Sequence, residues 1–228
     1  MTGIDDPPTN RSRTRYWQPA PLIVAPAVLF AALVVHPYIG GRLPNDESVA
    51  RAVVDAPTRW AVAHLGASVA SALMILAFLA VRSYLHRAGE DRLSTVGMPF
   101  VIVGSTLFAV LPGMEFVPFA VAETGGTVDE VAAAQDAITG WFAAVLVVGG
   151  ILFAIGVFSF ARAISIASVG SRELTRIVVI ALVSMAISRF VPFAAVQFYV
   201  QGVAAIVALW LLAYVVWTRP VPSTAGAA

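Results

Sequence analysis

The chain reads as an all-α membrane protein of six transmembrane helices, and three observations lead there. Its residues are 59% hydrophobic, with a mean hydropathy of +0.86, which lies outside the range of soluble folds. Apolar windows fall at 21–39, 60–85, 97–121, 141–161, 175–196 and 202–217, close to the ~17–25 residues a helix needs to cross a bilayer. Trp17, Trp60, Trp141 and Trp217 mark window ends, where interfacial aromatic rings belong. The bilayer is then the solvent, and 19–218 form one transmembrane domain between short tails at 1–18 and 219–228 that are expected to be disordered.

The first four windows are separated by polar loops. The last two share one apolar run from 177 to 217, too long for a single crossing, and the turn is expected near 197–202, where Gln197, Gln201 and Gly202 interrupt it. Pro192 then lies inside the fifth helix as a kink. The arginines before the first window are not followed by a small-residue cleavage site, so that window is an uncleaved first helix.

Arginine distribution sets the orientation. Arg11, Arg13, Arg15, Arg82, Arg87, Arg92, Arg162, Arg172, Arg176 and Arg219 fall on one side, and Arg42, Arg51, Arg59 and Arg189 on the other. Both termini are therefore expected in the cytoplasm of a plasma-membrane protein. A formal charge of +1 gives no ground for a nucleic-acid partner. The expected partners are the lipid bilayer and either a second copy or another membrane protein.

The helices pair into three consecutive hairpins with signs of a parallel repeat. Asp46-Glu47 leads to Asp55 and Trp60, as Asp129-Glu130 leads to Asp136 and Trp141. Phe116-Val117-Pro118-Phe119-Ala120 recurs as Phe190-Val191-Pro192-Phe193-Ala194. The two loops before these tryptophans look like short interfacial helices. Thr127 and Glu130 fit a capping box, and Asn45 fits an N-cap.

Chemistry is narrowed by what is missing. Every basic residue is arginine, so no lysine can form a Schiff base. There is no cysteine, which removes disulfides, thiol redox chemistry and cysteine-held metals. The HExxH, GxSxG and phosphate-loop patterns are absent, and Gly149-Gly150 reads as a site of close helix packing.

Ionisable groups at membrane depth are costly and normally paired or in wet cavities, so the few present carry the functional reading. His36, His64, Glu115 and Arg189 all fall in the half of the bundle away from the cytoplasm. Glu115 and Arg189, each just before a Phe-Val-Pro-Phe-Ala phrase, are expected to form an ion pair. His36 precedes Pro37, where the first helix ends or kinks. His64 shares a helix face with Ser68 and Ser71, and Gly66 and Ala70 beside them admit a close neighbour. His36, His64 and Glu115 are also a recurrent ligand set for a divalent metal. Bis-histidine haem is disfavoured, because adjacent antiparallel helices pack too closely for a porphyrin. His86 is a solvated loop residue, and Gln135, Asp136, Gln197 and Gln201 are wet groups near the outer mouth.

The passage His36-Pro37, followed by Asp55-Ala56-Pro57-Thr58-Arg59-Trp60-Ala61-Val62-Ala63-His64-Leu65, resembles a pattern in small multi-pass bacterial membrane proteins of unassigned activity. The resemblance covers the first two helices and implies that the two histidines matter together; it carries no substrate. The expectation is a polar pocket in the extracytoplasmic half that binds or passes a small ligand or ion, more a binding or transport protein than an enzyme. Two other readings stand beside it: a metal- or haem-dependent membrane enzyme acting on a lipid-like substrate, and a structural or accessory subunit.

Overall fold

The computed structural model describes residues 19–219; the two tails, with Arg11, Arg13, Arg15 and Trp17, lie outside them. The described residues form eight α-helices and no strand: α1 (Ala20–Val35), α2 (Asp46–Asp55), α3 (Pro57–Arg87), α4 (Arg92–Met114), α5 (Phe116–Glu123), α6 (Val128–Ala167), α7 (Arg172–Ile187) and α8 (Gln201–Thr218). Four stretches are long and apolar enough to cross a membrane: Pro57–Arg87, Arg92–Glu123, Val128–Ala167 and Val196–Thr218. The 16 residues of α1 and the 16 of α7 span only ~24 Å at ~1.5 Å per residue, less than a full hydrocarbon core.

Local sequence explains most of the helix starts. Asn45 accepts a hydrogen bond from the Ser48 amide at 3.2 Å and opens α2. The Thr127–Glu130 capping box opens α6, with Thr127 N–H donating to Glu130 Oε2 at 2.7 Å and Glu130 N–H to Thr127 Oγ1 at 3.4 Å. Glu90 caps α4 by accepting from the amides of Leu93 (2.7 Å) and Ser94 (3.2 Å).

Three helix boundaries differ from expectation. The third apolar window is broken at Glu115 into α4 and α5. Pro118 offers no amide hydrogen to the carbonyl of Met114, and its ring crowds that turn. The segment before Trp141 is no separate helix, since α6 runs unbroken for 40 residues, ~60 Å, about twice a hydrocarbon core. The last turn comes earlier than 197–202. After α7 the chain passes through a 3₁₀ turn (Ser188–Phe190), and Val191 is extended with φ −84° and ψ 121°. A π-helical turn (Val196–Val200) then leads straight into α8. Pro192 therefore lies in the connection and does not kink a helix, consistent with the bias of a pre-proline residue toward extended backbone. Both Phe-Val-Pro-Phe-Ala phrases thus sit at helix breaks.

Packing divides into two clusters. The main one runs through α1, α3, α4, α6, α7 and α8. A smaller one joins Val49, Ala50 and Val53 of α2 to Ile39, Trp60, Val131 and Ala194. It caps one end of the bundle, and the first of the two expected short helices, α2, forms part of it. Helices α4 and α6 cross most closely. A Cβ at Gly104 would lie 2.6 Å from the Phe153 amide nitrogen, and one at Gly156 would lie 2.8 Å from that of Val101. Gly149 and Gly150 do serve packing, against Leu107 and the Phe190 ring, and Gly66 packs against Ala32 of α1.

Around this core the surface is apolar: Ile23 and Val34 on α1, Val69 and Leu76 on α3, Ile102 on α4, Ile155 on α6 and Ile180 on α7 are all exposed. An apolar belt of that kind suits lipid contact. Trp217 is exposed at the end of α8, as an interfacial ring should be, and Trp141 is exposed within α6, not at a helix end. Trp60 is not: it is only 2% exposed.

Candidate functional site

Under the cap, the end of α1 meets the start of α3. His36 is the C-cap residue of α1, so the helix ends at His36-Pro37. The two histidines do come together, with ring centroids 4.9 Å apart. Trp60 packs on both, at 4.9 Å from His36 and 4.3 Å from His64. Phe198, delivered by the π-helical turn, lies 4.6 Å from His36. Each imidazole is tied to the backbone through Nδ1, His36 to the Pro37 carbonyl (2.7 Å) and His64 to the Trp60 carbonyl (2.8 Å). With Nδ1–H donating in this way, Nε2 of each ring keeps its lone pair. The Arg59 guanidinium donates to the carbonyls of Val35 and His36 and closes the end of α1.

Glu115 joins this cluster through its backbone. Its carbonyl, at the junction of α4 and α5, accepts from the Trp60 indole N–H at 3.2 Å. Its carboxylate points elsewhere, accepting from Gln135 Nε2 of α6 at 3.2 Å, while Glu115 Oε2 and Gln135 Oε1 have no partner. The triad of His36, His64 and Glu115 is therefore not assembled, and among the described residues no three His, Asp or Glu side chains gather as a metal site would need. Bis-histidine haem does not fit either. The His36 and His64 rings touch directly at 4.9 Å, which leaves no plane between them for a porphyrin.

The expected Glu115–Arg189 pair is also absent; the ion pairs among the described residues are Arg51–Glu47 and His86–Asp91. Helix breaks explain the miss, because each displaces its residue from the regular face that the spacing implied. Arg189 lies in the 3₁₀ turn, with its guanidinium carbon 3.5 Å from the Phe108 ring centroid and 5.6 Å from that of Phe153. Gln201, oriented so that both ends of its amide are satisfied, accepts from Arg189 Nε (3.2 Å) and Nη2 (2.6 Å) and donates to the Gln197 carbonyl (2.9 Å).

Beside this guanidinium is a cavity with room for about one water molecule. It lies where α1, α3, α4, α6 and α8 meet the end of α7, and its wall includes Leu29, Ser71, Ser105, Phe153, Arg189 and Gln201. Ser71 is on the His64 face of α3, and Ser68 between them donates to the Ala109 carbonyl of α4 at 3.2 Å. A file of polar side chains thus runs down α3 from the histidine pair to the Arg189 cavity, two turns deeper. The four singled-out ionisable residues do not share one chamber.

Ser105, Gln135 and Gln201 are the functional candidates the sequence undervalued. The two glutamines were expected among wet loop groups, yet they are 6% and 4% exposed. Each is a polar residue on an otherwise apolar helix face, the signal that could have found it. No protein-family model matches this chain, nor does any curated protein or solved structure.

Proposed function

We propose that the chain is a six-span plasma-membrane protein, with both termini cytoplasmic, that binds or passes a small ligand or ion along the polar file between His36/His64 and the Arg189 cavity. The observation that carries this reading is Arg189 itself. A guanidinium with no acidic partner among the described residues is held inside a bundle of apolar helices beside a cavity lined by serines and a glutamine. Such a charge is expensive to hold for packing alone, and membrane-depth arginines typically mark ligand or ion paths. The remaining two crossings are α1 and α7, each with apolar faces exposed beside the four longer stretches. Arginine bias supports the orientation.

The natural absence of cysteine makes the test direct. Single variants Ser68→Cys, Ser71→Cys and Ser105→Cys are treated in intact cells with a small, water-soluble, membrane-impermeant thiol reagent. The cap covers the file at the histidine end, so reaction requires the cap to open. The file thiols should then react faster than Val69→Cys and Ile102→Cys on the exposed apolar belt, where a thiol facing lipid does not ionise. Equal rates at the file and the belt would end the reading.

A further inference from the structure

We propose that Arg189 and Ser105 form a binding site for a small monovalent anion of halide size, in the cavity they share. This inference rests on the ligand-binding reading above and names the ligand class.

The argument starts from hydrogen-bond accounting. A guanidinium carries five N–H donors in a rigid fork and keeps its charge in proteins. Gln201 oxygen is the one acceptor that meets it among the described residues, and it occupies Nε and one side of Nη2. The Phe108 ring covers a face of the guanidinium, not its edge. No acid among the described residues pairs with it, and Glu115 is held by Gln135. The remaining N–H groups therefore lack an acceptor.

Ser105 supplies the second, independent observation. Ser71, Ser83, Ser159 and Ser165 each bond the carbonyl four residues earlier in their helix, at 2.9–3.0 Å. Ser105 does not: its hydroxyl has no partner, although the residue is 2% exposed and lines the cavity. A hydroxyl and a guanidinium edge, both donors and both unanswered, border the same small void. An anion satisfies the two together and neutralises the charge. A divalent oxyanion exceeds the small cavity by more than a single-atom halide does, and a lone water would leave the charge uncompensated. The phenyl rings of Phe108 and Phe153 suit a weakly hydrated ion, which sheds its water more readily than fluoride or sulfate.

The probe is chloride, with bromide in support. Full-length protein in detergent is unfolded thermally in sodium chloride and in sodium gluconate at equal ionic strength, which separates binding from screening. Chloride should raise Tm in proportion to occupancy and broaden the chloride NMR line, with bromide competing. Arg189→Gln should abolish both effects, and Arg189→Lys should weaken them by removing the fork. Ser105→Ala, which removes one donor with little change in packing, should lower the apparent affinity about tenfold and serves if Arg189→Gln does not fold. An equal chloride effect in Ser105→Ala and wild type, or no chloride effect in wild type, overturns the anion site. If the thiols at Ser71→Cys and Ser105→Cys still react from outside in that case, the ligand path stands and only the anion is wrong. If they are silent too, both readings fall.

Discussion

Trp60 closes a hydrogen bond that the sequence does not announce. Its indole N–H meets the Glu115 carbonyl at the junction of α4 and α5, and its ring lies against both histidines. Trp60→Phe keeps an aromatic ring there but loses this hydrogen bond, so it should lower stability by about 0.5–1.5 kcal/mol. Glu115 presents a different case. Its Oε2 and Gln135 Oε1 are both orphaned, and a donor at the position of Oε2 would answer both. Glu115→Gln supplies such a donor as an N–H and should be tolerated, whereas Glu115→Ala should cost about 1–3 kcal/mol by leaving Gln135 alone. Arg189 has separate partners, so Glu115→Ala and Arg189→Ala should add within about 0.5 kcal/mol. Denaturant unfolding in detergent of the single and double variants measures these costs. Strong non-additivity would restore the ion pair that the spacing suggested.

At the scale of elements, glycine and proline do different work. Gly104 lets α4 rest on the backbone of α6, where an added Cβ would lie 2.7 Å from the Phe153 Cα. Gly113, on the same helix, has nothing within 4 Å of its Cβ position. Gly104→Ala should therefore force α4 and α6 apart and lower Tm, while Gly113→Ala should leave it equal or higher, since alanine favours a helix by about 1 kcal/mol over glycine. Matching thermal shifts for the two variants would contradict the close crossing. The prolines act on direction. Pro118 and Pro192 each lie three residues after a charged residue at membrane depth, and each break turns that residue's side chain away from the face a straight helix would give it. Glu115 is thereby brought to α6, and Arg189 to the central cavity.

The whole molecule combines an apolar bundle with a small cap. Helix α2, α5 and the first turns of α6 pack over Trp60, so the histidine end is covered, not open. If both termini are cytoplasmic, this cap lies on the outer face. Reporter fusions at residue 1 and residue 228 should then be active only for a reporter that works in the cytoplasm; opposite sides for the two ends would require an odd number of crossings.

Much of this architecture was legible in one dimension. Hydropathy alone marks the four stretches long and apolar enough to cross a membrane, because solvation by lipid would act on every residue of a span. The capping signals at Asn45 and Thr127 and the end of α1 at His36-Pro37 were readable for a related reason: a cap is made by residues within a few positions of one another. Hydropathy also placed His36, His64 and Glu115 within or beside apolar windows, and the structure buries them. Partner choice was not legible. Whether Glu115 faces Arg189 or Gln135, whether Gln201 is wet or buried, and whether Trp60 meets lipid or histidine depend on where two proline breaks aim the chain. They depend also on how closely the glycines let α4 approach α6. Those relations, such as Glu115 with Gln135 or Gly104 with Phe153, are settled by packing in three dimensions and invisible to periodicity along the chain.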